Sequence, residues 1–130
     1  MTLTDSTPMT ATLQVSASAY GKIAVLALDG ELTAQTAGEL AAHAAGGGSG
    51  VATDVVLDLQ RLYLLDEQGL AAVQEFAAGL ARAGHCLALA ALRPRTRAFL
   101  QYVDAQAIAP MYATVEEAAD HLALARTAGA

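Results

Sequence analysis

The chain has little of several residue types, and each shortage excludes a class of protein. Its 130 residues include one cysteine, no tryptophan, two phenylalanines and four tyrosines. A single cysteine excludes an internal disulfide and cannot hold a metal ion by itself. Because Cys86 begins the apolar run Cys86–Leu89, we expect a buried thiol rather than a redox sensor. No apolar run approaches the roughly 20 residues that a membrane-spanning helix needs.

Basic residues are also scarce. Seven Lys and Arg against 13 Asp and Glu give a formal net charge of -6, which disfavours binding to nucleic-acid phosphates. The one basic cluster, Arg93, Arg95 and Arg97, is interpreted as a solvated helix start with acidic neighbours rather than an anion site. The first residues lack the basic and apolar segments of a signal peptide, so we expect a cytoplasmic protein without membrane insertion.

What the chain does have is a strand followed by a short connection, Leu62–Leu65, and then an Ala-rich helix. Residues 55–59 form a nearly continuous apolar run, which is typical of a strand buried on both faces of a sheet. After Gly69, apolar residues recur at helical spacing as far as Leu80. Asp66 and the two residues after it therefore lie at the carboxyl end of a strand, where open α/β sheets carry their functional sites.

The other elements are predicted from the same periodicities. We expect strands over residues 12–18, 23–28, 85–92 and 108–112. Thr33 is the predicted N-cap of a helix to about Ala45, which the Gly46–Gly50 linker ends. A helix begins at Pro94, and Thr114 with Glu117 forms a capping box before the last helix. The segment from Asp29 to Leu32 is expected to leave the sheet.

This order of elements predicts a single α/β domain. Its sheet is mixed and mostly parallel, with an antiparallel N-terminal edge strand and about four helices. The domain is expected to span residues 11–125, between a flexible tail at residues 1–10 and a frayed C-terminus at residues 126–130. The strand at residues 12–18 is a candidate exposed edge, through which two copies of the chain could pair as a homodimer.

Catalytic motifs are few. His43, His85 and His121 fall on separate elements, and none has the helical spacing of a metal-ligand pair. The adjacent acids Asp66 and Glu67 are explained by a helix start, as N-cap and favourable charge near the N-terminus, together worth about 1–2 kcal/mol. We therefore expect no enzymatic activity, no catalytic residues, no cofactor and no metal site.

Several segments, taken in order, resemble the STAS domain, which is typified by bacterial anti-sigma-factor antagonists. The similar segments are residues 30–33, 57–59, 62–70, 83–85, 95–100 and 115–118. Residues 30–33 are similar to the family's Gly-Glu-Leu-Asp segment, and residues 66–69 stand where the family usually has Asp-Ser-Ser-Gly or Asp-Thr-Ser-Gly. The resemblance covers nearly the whole predicted domain and implies the same order of elements.

The resemblance implies a role in regulating transcription. In that family, an anti-sigma factor with a kinase-type ATP-binding fold phosphorylates the first hydroxyl of the corner. The unphosphorylated antagonist binds the anti-sigma factor and frees the sigma factor, and phosphorylation breaks the complex. Here the phosphoacceptor position holds Glu67, the next position holds Gln68, and Thr33 replaces the Asp of Gly-Glu-Leu-Asp.

The resemblance therefore implies an anti-sigma factor antagonist that is not switched at this position. The expected partner-binding residues are Glu31, Thr33, Asp66, Glu67, Gln68, Gly69, Leu70, Val73 and Gln74. Glu67 carries one charge where a phosphoserine carries about 1.5 to 2, so it either mimics the phosphorylated state or meets an adapted partner surface. We favour the adapted surface. The alternatives are a cytoplasmic subunit of a lipid or anion transporter complex and, third, a subunit of a large signalling assembly.

Overall fold

A computed structural model describes residues 12–44, 54–103 and 108–129 of the chain. Five strands and four helices alternate within these residues: β1 (Leu13–Tyr20), β2 (Ile23–Leu32), α1 (Ala37–Ala44), β3 (Val55–Leu65), α2 (Glu67–Arg82), β4 (Leu87–Ala90), α3 (Pro94–Tyr102), β5 (Met111–Tyr112) and α4 (Val115–Gly129). The tail predicted at residues 1–10 and the Gly46–Gly50 linker lie outside the described residues.

The strands form one sheet in the order β1-β2-β3-β4-β5. β1 is antiparallel to β2, and the other neighbouring pairs are parallel. The predicted fold class is therefore confirmed, including the antiparallel edge strand. Gly21 and Lys22 form the turn between β1 and β2, and Gly21 takes the positive φ of 63° that suits the first position of a two-residue hairpin turn.

Helices cover the two faces of the sheet unequally. α1, α2 and α3 pack on one face, where Leu40, Phe76 and Leu100 join a buried cluster with leucines of the central strands. α4 packs on the other face, where Ala118 and Ala119 lie against small side chains of β3 and β4. Because alternate residues of a strand point to opposite faces, the same central strands supply both clusters.

β2 and β3 are longer than the sequence predicts. The segment Asp29–Leu32 stays in β2 and pairs with Arg61–Leu65, so the expectation that it leaves the sheet is wrong. The register shifts twice along this pairing, and Gly30 has a φ of 128°. A side chain at Gly30 would overlap the carbonyl oxygen of Thr12, to which the N–H of Glu31 donates at 2.8 Å. These turn-like residues therefore form an irregular strand instead of a turn.

β4 is shorter than predicted, and this changes the position of Cys86. The strand begins at Leu87, so Cys86 lies before it, and the cysteine is exposed. Its N–H donates to Oδ1 of Asp54 at 2.9 Å. The interpretation of Cys86 as a buried thiol is wrong, because the buried part of the apolar run starts one residue later.

The predicted helix ends fit with small differences. Thr114 Oγ1 accepts a hydrogen bond from the N–H of Glu117 at 3.0 Å, which confirms the threonine half of the capping box. Glu117 Oε1 accepts from the N–H of Ala113 at 3.2 Å, one residue before the predicted donor. α2 ends where Gly84 takes a φ of 84°, with its N–H donating to Ala81 and that of His85 to Leu80, as in a Schellman motif.

The exposure of Cys86 is testable directly. We expect the folded protein to react fully with a maleimide in native buffer, because Cys86 is exposed before β4 begins. Mass spectrometry before and after addition of urea measures the labelled fraction. A thiol that reacts only after denaturation would contradict the placement of Cys86 outside β4.

Candidate partner-binding site

The corner between β3 and α2 is built on Asp66. This residue is extended, with φ -107° and ψ -173°, and its Oδ1 accepts a hydrogen bond from the N–H of Gly69 at 2.8 Å. Its carbonyl accepts the first helical bond, from the N–H of Leu70 at 2.8 Å. The predicted role of Asp66 as the N-cap of α2 is confirmed. The cap fixes the direction in which the first turn of α2 leaves the sheet.

Gly69 brings this first turn against the end of β2. A side chain at Gly69 would overlap the carbonyl oxygen of Leu32, and its Cβ would lie 2.8 Å from Cδ1 of Leu65. The N–H of Asp66 also points to the carbonyl of Leu32, at 3.5 Å. Only glycine allows this approach, so Gly69 is buried and acts from beneath the surface. The close approach brings the end of β2 beside the start of α2.

The loop after β2 is held by a buried threonine. The hydroxyl of Thr36 donates to the carbonyl of Glu31 at 2.7 Å and accepts from the N–H of Thr33 at 2.9 Å. Thr36 is 4% exposed. Thr33 Oγ1 accepts from the N–H of Gln35 at 3.2 Å, so residues 33–36 form a turn and α1 begins only at Ala37. The prediction of Thr33 as a helix N-cap is therefore wrong, because its hydroxyl closes this turn instead.

The predicted contact residues in the first turns of α2 differ in their exposure to solvent. Glu67, Gln68 and Gln74 are exposed, and Leu70 is partly buried. Val73 is 4% exposed and lies in the same buried cluster as Phe76. The expectation that Val73 forms part of the surface is therefore wrong. Helical spacing aligns Val73 with Gly69, Phe76 and Leu80 on the face that packs on the sheet.

The structure adds an apolar part to this surface that the sequence reasoning missed. β4 pairs with β3 only as far as Asp58, and from there β3 continues beside β2. Tyr63 and Leu64 lie on this extension and are 53% and 40% exposed. Leu64 pairs with Glu31, so it adjoins the predicted site. The uninterrupted apolar run Leu62–Leu65, in a segment interpreted as a connection, is the signal that could have revealed it.

Arg93, at the start of α3, contacts two residues of this extension. Its guanidinium lies 4.7 Å from the centre of the Tyr63 ring, and its Nη1 donates to the carbonyl of Gln60 at 3.1 Å. The sequence correctly places Arg93 at an exposed helix start, but these contacts are with a ring and a carbonyl instead of an acidic side chain. A cation over an exposed aromatic face contributes roughly 0.5–1 kcal/mol, which favours one position of the Tyr63 ring.

We name this region the corner surface and define it by its exposed and half-buried residues. These are Glu31, Thr33, Tyr63, Leu64, Asp66, Glu67, Gln68, Leu70 and Gln74. It combines three carboxylates with an apolar strip, and Gly69 and Val73 support it from below. Such a mixture of polar and apolar groups on a rigid base is typical of a protein-binding surface.

No three His, Cys, Asp or Glu side chains in residues 12–44, 54–103 and 108–129 lie close enough together to hold a metal ion. Within the same ranges, no helix combines the length and apolarity that crossing a membrane requires.

Comparison with known proteins gives a family and a set of related folds. The STAS domain family model matches residues 14–118. No curated protein sequence matches the chain. An anti-sigma factor antagonist from Mycobacterium paratuberculosis has a TM-score of 0.72, at 20% identity over 85% of this chain and 94% of that one.

Two further solved structures share the fold. The anti-sigma factor antagonist SpoIIAA in its unphosphorylated form has a TM-score of 0.67, at 24% identity over 85% of this chain and 95% of that one. A sulfate transporter family protein from Wolinella succinogenes has a TM-score of 0.67, at 18% identity over 85% of this chain and 89% of that one. At these identities the structural likeness shows the fold alone.

The approach of Gly69 to Leu32 predicts opposite effects for two substitutions in one helix. Gly69→Ala should destabilise the protein by about 1–3 kcal/mol, because the added methyl group forces the backbone apart. Gly79→Ala is the matched control, because its Cβ would have only the end of Arg82 nearby, at 3.8 Å. There alanine should stabilise the helix by about 0.5–1 kcal/mol. Urea unfolding of both variants measures the difference, and equal effects would contradict the packing described here.

Proposed function

Because the chain belongs to the STAS domain family, we propose that it is an anti-sigma factor antagonist, which binds an anti-sigma factor in the cytoplasm and relieves the inhibition of a sigma factor. The observation that carries the proposal is the corner surface, where the Glu31–Thr33 loop and the exposed start of α2 form one continuous region. The proposed partner has the kinase-type ATP-binding fold that the resemblance implies. Two solved relatives in fold are themselves described as anti-sigma factor antagonists, which supports the proposal.

We further propose that the partner accepts the carboxylate of Glu67. Glu67 is exposed in the first turn of α2, where the helix dipole favours a negative charge. The supports of the corner surface are all present: the cap made by Asp66, the close approach at Gly69 and the buried hydroxyl of Thr36. A corner held this firmly is suited to binding, and a glutamate there presents a permanent charge that no kinase controls.

The neighbouring hydroxyl groups do not replace the missing phosphoacceptor in this proposal. Thr36 is buried and its hydroxyl is engaged by Glu31 and Thr33, so its phosphorylation would require the loop to open. Thr33 is half-buried and its oxygen accepts the N–H of Gln35. Thr53 lies outside the described residues. The proposed antagonist is therefore regulated by its abundance or its partner, and not by phosphorylation of the corner.

A transporter subunit is the second candidate function. The fold is shared with a sulfate transporter family protein, and a glutamate at the corner suits a module without a phosphorylation switch. Affinity capture of the tagged wild-type chain from its own cells, followed by mass spectrometry, separates the two. We expect an anti-sigma factor with an ATPase-type fold. Recovery of transporter subunits would replace the proposal with the second candidate, and particles of very high mass on sizing would favour a large signalling assembly.

The charge of Glu67 gives the first quantitative test with the captured partner. Glu67→Gln should weaken binding about tenfold, or about 1.4 kcal/mol, because an adapted partner surface loses its charge contact. Glu116→Gln is the matched control, since Glu116 is also an exposed carboxylate in the first turn of a helix, but on α4, which packs on the other face of the sheet. Isothermal titration calorimetry measures both variants against the wild-type protein.

If removing the charge of Glu67 strengthens binding to the anti-sigma factor instead of weakening it, the wild-type chain is permanently in the non-binding state. If Glu67→Ser binds and the wild-type chain does not, Glu67 mimics the phosphorylated form and the adapted surface is wrong. Phosphorylation of the wild-type chain at Thr33, Thr36 or Thr53 by the partner, with loss of the complex, would also overturn a kinase-independent antagonist.

The apolar strip gives a second test of the corner surface. Leu64→Ala should weaken binding to the anti-sigma factor about tenfold, because the variant loses most of the apolar area of Leu64, and burying a whole leucine side chain contributes roughly 1.5–3 kcal/mol. Leu124→Ala is the control, because Leu124 is equally apolar and 67% exposed but lies on α4. Equal affinities for the two variants would place the binding site elsewhere.

We propose that homodimer formation, where it occurs, uses β1, the strand at one end of the strand order.

A further inference from the structure

The outer strand of the sheet lacks four features of sequence and geometry that commonly prevent two sheet edges from joining. β1 is eight residues long, stands at one end of the strand order and pairs with β2 without a register shift. Its sequence, LQVSASAY, contains no charged residue and no proline. Natural edge strands are commonly protected by charge, proline, a bulge or shortness. β1 has none of these protections.

The hydrogen-bonding direction of each residue in β1 follows from the hairpin. In a two-residue turn, the flanking residues Tyr20 and Ile23 exchange main-chain hydrogen bonds, and every second residue of the strand does the same. The bond from Glu31 N–H to the Thr12 carbonyl, at 2.8 Å, fits this alternation. Leu13, Val15, Ala17 and Ala19 therefore direct their N–H and C=O groups away from β2.

We propose that a second copy of this chain pairs antiparallel with β1, with the two-fold axis at Ala17. In this register Ala17 lies opposite its own copy, Ser16 opposite Ser18, and Val15 opposite Ala19. The three pairs formed by residues 15, 17 and 19 use the outward groups and exchange about six main-chain hydrogen bonds. The facing side chains at residues 15–19 are small, so the middle of the two strands can approach closely, and only Gln14 and Tyr20 form a larger pair at each end.

Charge at the two ends of β1 favours the antiparallel arrangement. Lys22, the single lysine of the chain, follows one end of the strand. Asp29 and Glu31 lie beside the other end, since Asp29 pairs with Gln14 and the N–H of Glu31 donates to the carbonyl of Thr12. The carboxylate of Asp29 also lies 3.9 Å from the guanidinium of Arg61, so the acidic charge left at this end is that of Glu31. The two-fold axis brings the Lys22 end of each copy to the acidic end of the other. A parallel arrangement would place like charges together, so the charges match a second copy in one orientation.

The contact is expected to be weak, because two strand edges bury less than the roughly 1,200–2,000 Å² of a stable interface. Sedimentation equilibrium of the full chain, from micromolar to millimolar protein, should show a reversible monomer–dimer equilibrium. Ala17→Asp should weaken dimerisation at least tenfold, because two carboxylates then face each other across the axis. Ala78→Asp is the control for added charge, since Ala78 is exposed on α2.

A mixing experiment tests the register itself. Ala17→Lys alone should also be monomeric, while an equal mixture with Ala17→Asp should restore dimers, because opposite charges then meet at the axis. A wild-type chain that stays monomeric throughout, an Ala17→Asp variant that dimerises like wild type, or a mixture that stays monomeric would each overturn the proposal. Circular dichroism confirms that both variants are folded, as expected for an exposed position.

Discussion

The arrangement of the corner surface depends on one close contact, that between Gly69 and the carbonyl of Leu32. The end of β2 and the start of α2 are far apart in sequence. A side chain at position 69 would also keep their backbones apart in space. The absence of a side chain at Gly69 allows the backbones to touch, and the cap by Asp66 sets the helix in the orientation that uses this space. The loop with Thr33 and the exposed face with Glu67 then form one surface.

Much of this geometry could be predicted from local patterns. The change from strand to helix at Asp66, the cap, the order of the elements along the chain and the glycine at the end of α2 each depend on a few neighbouring residues. The face of α2 was predicted less well. Leu70 and Val73 are both apolar, and only the packing of Phe76 and Gly69 on the sheet shows that Val73 is the buried one.

The failures share a non-local cause. Asp29 to Leu32 reads as a turn because its polar residues and glycine favour one, yet pairing with β3 keeps it in the sheet. The exposure of Tyr63 and Leu64 depends on where β4 stops pairing with β3. The residues of β3 alone do not predict that point. Cys86 was predicted in the core and lies at the surface for a similar reason, because β4 begins only at Leu87. Strand length is set by the partner strand as much as by the residues themselves.

The face of the sheet that α4 covers is packed with smaller side chains than the face that carries α2. There α4 packs through Ala118 and Ala119, and the strands beneath contribute Ala88 and Ala90, all almost fully buried. Where these four alanines meet, the short side chains let the helix and the sheet lie close together, so a larger side chain at one of them would crowd its neighbours. At these positions sequence variation is therefore limited by volume as well as by apolarity. Serine could be accommodated there more readily than leucine, wherever a neighbouring carbonyl accepts its hydroxyl.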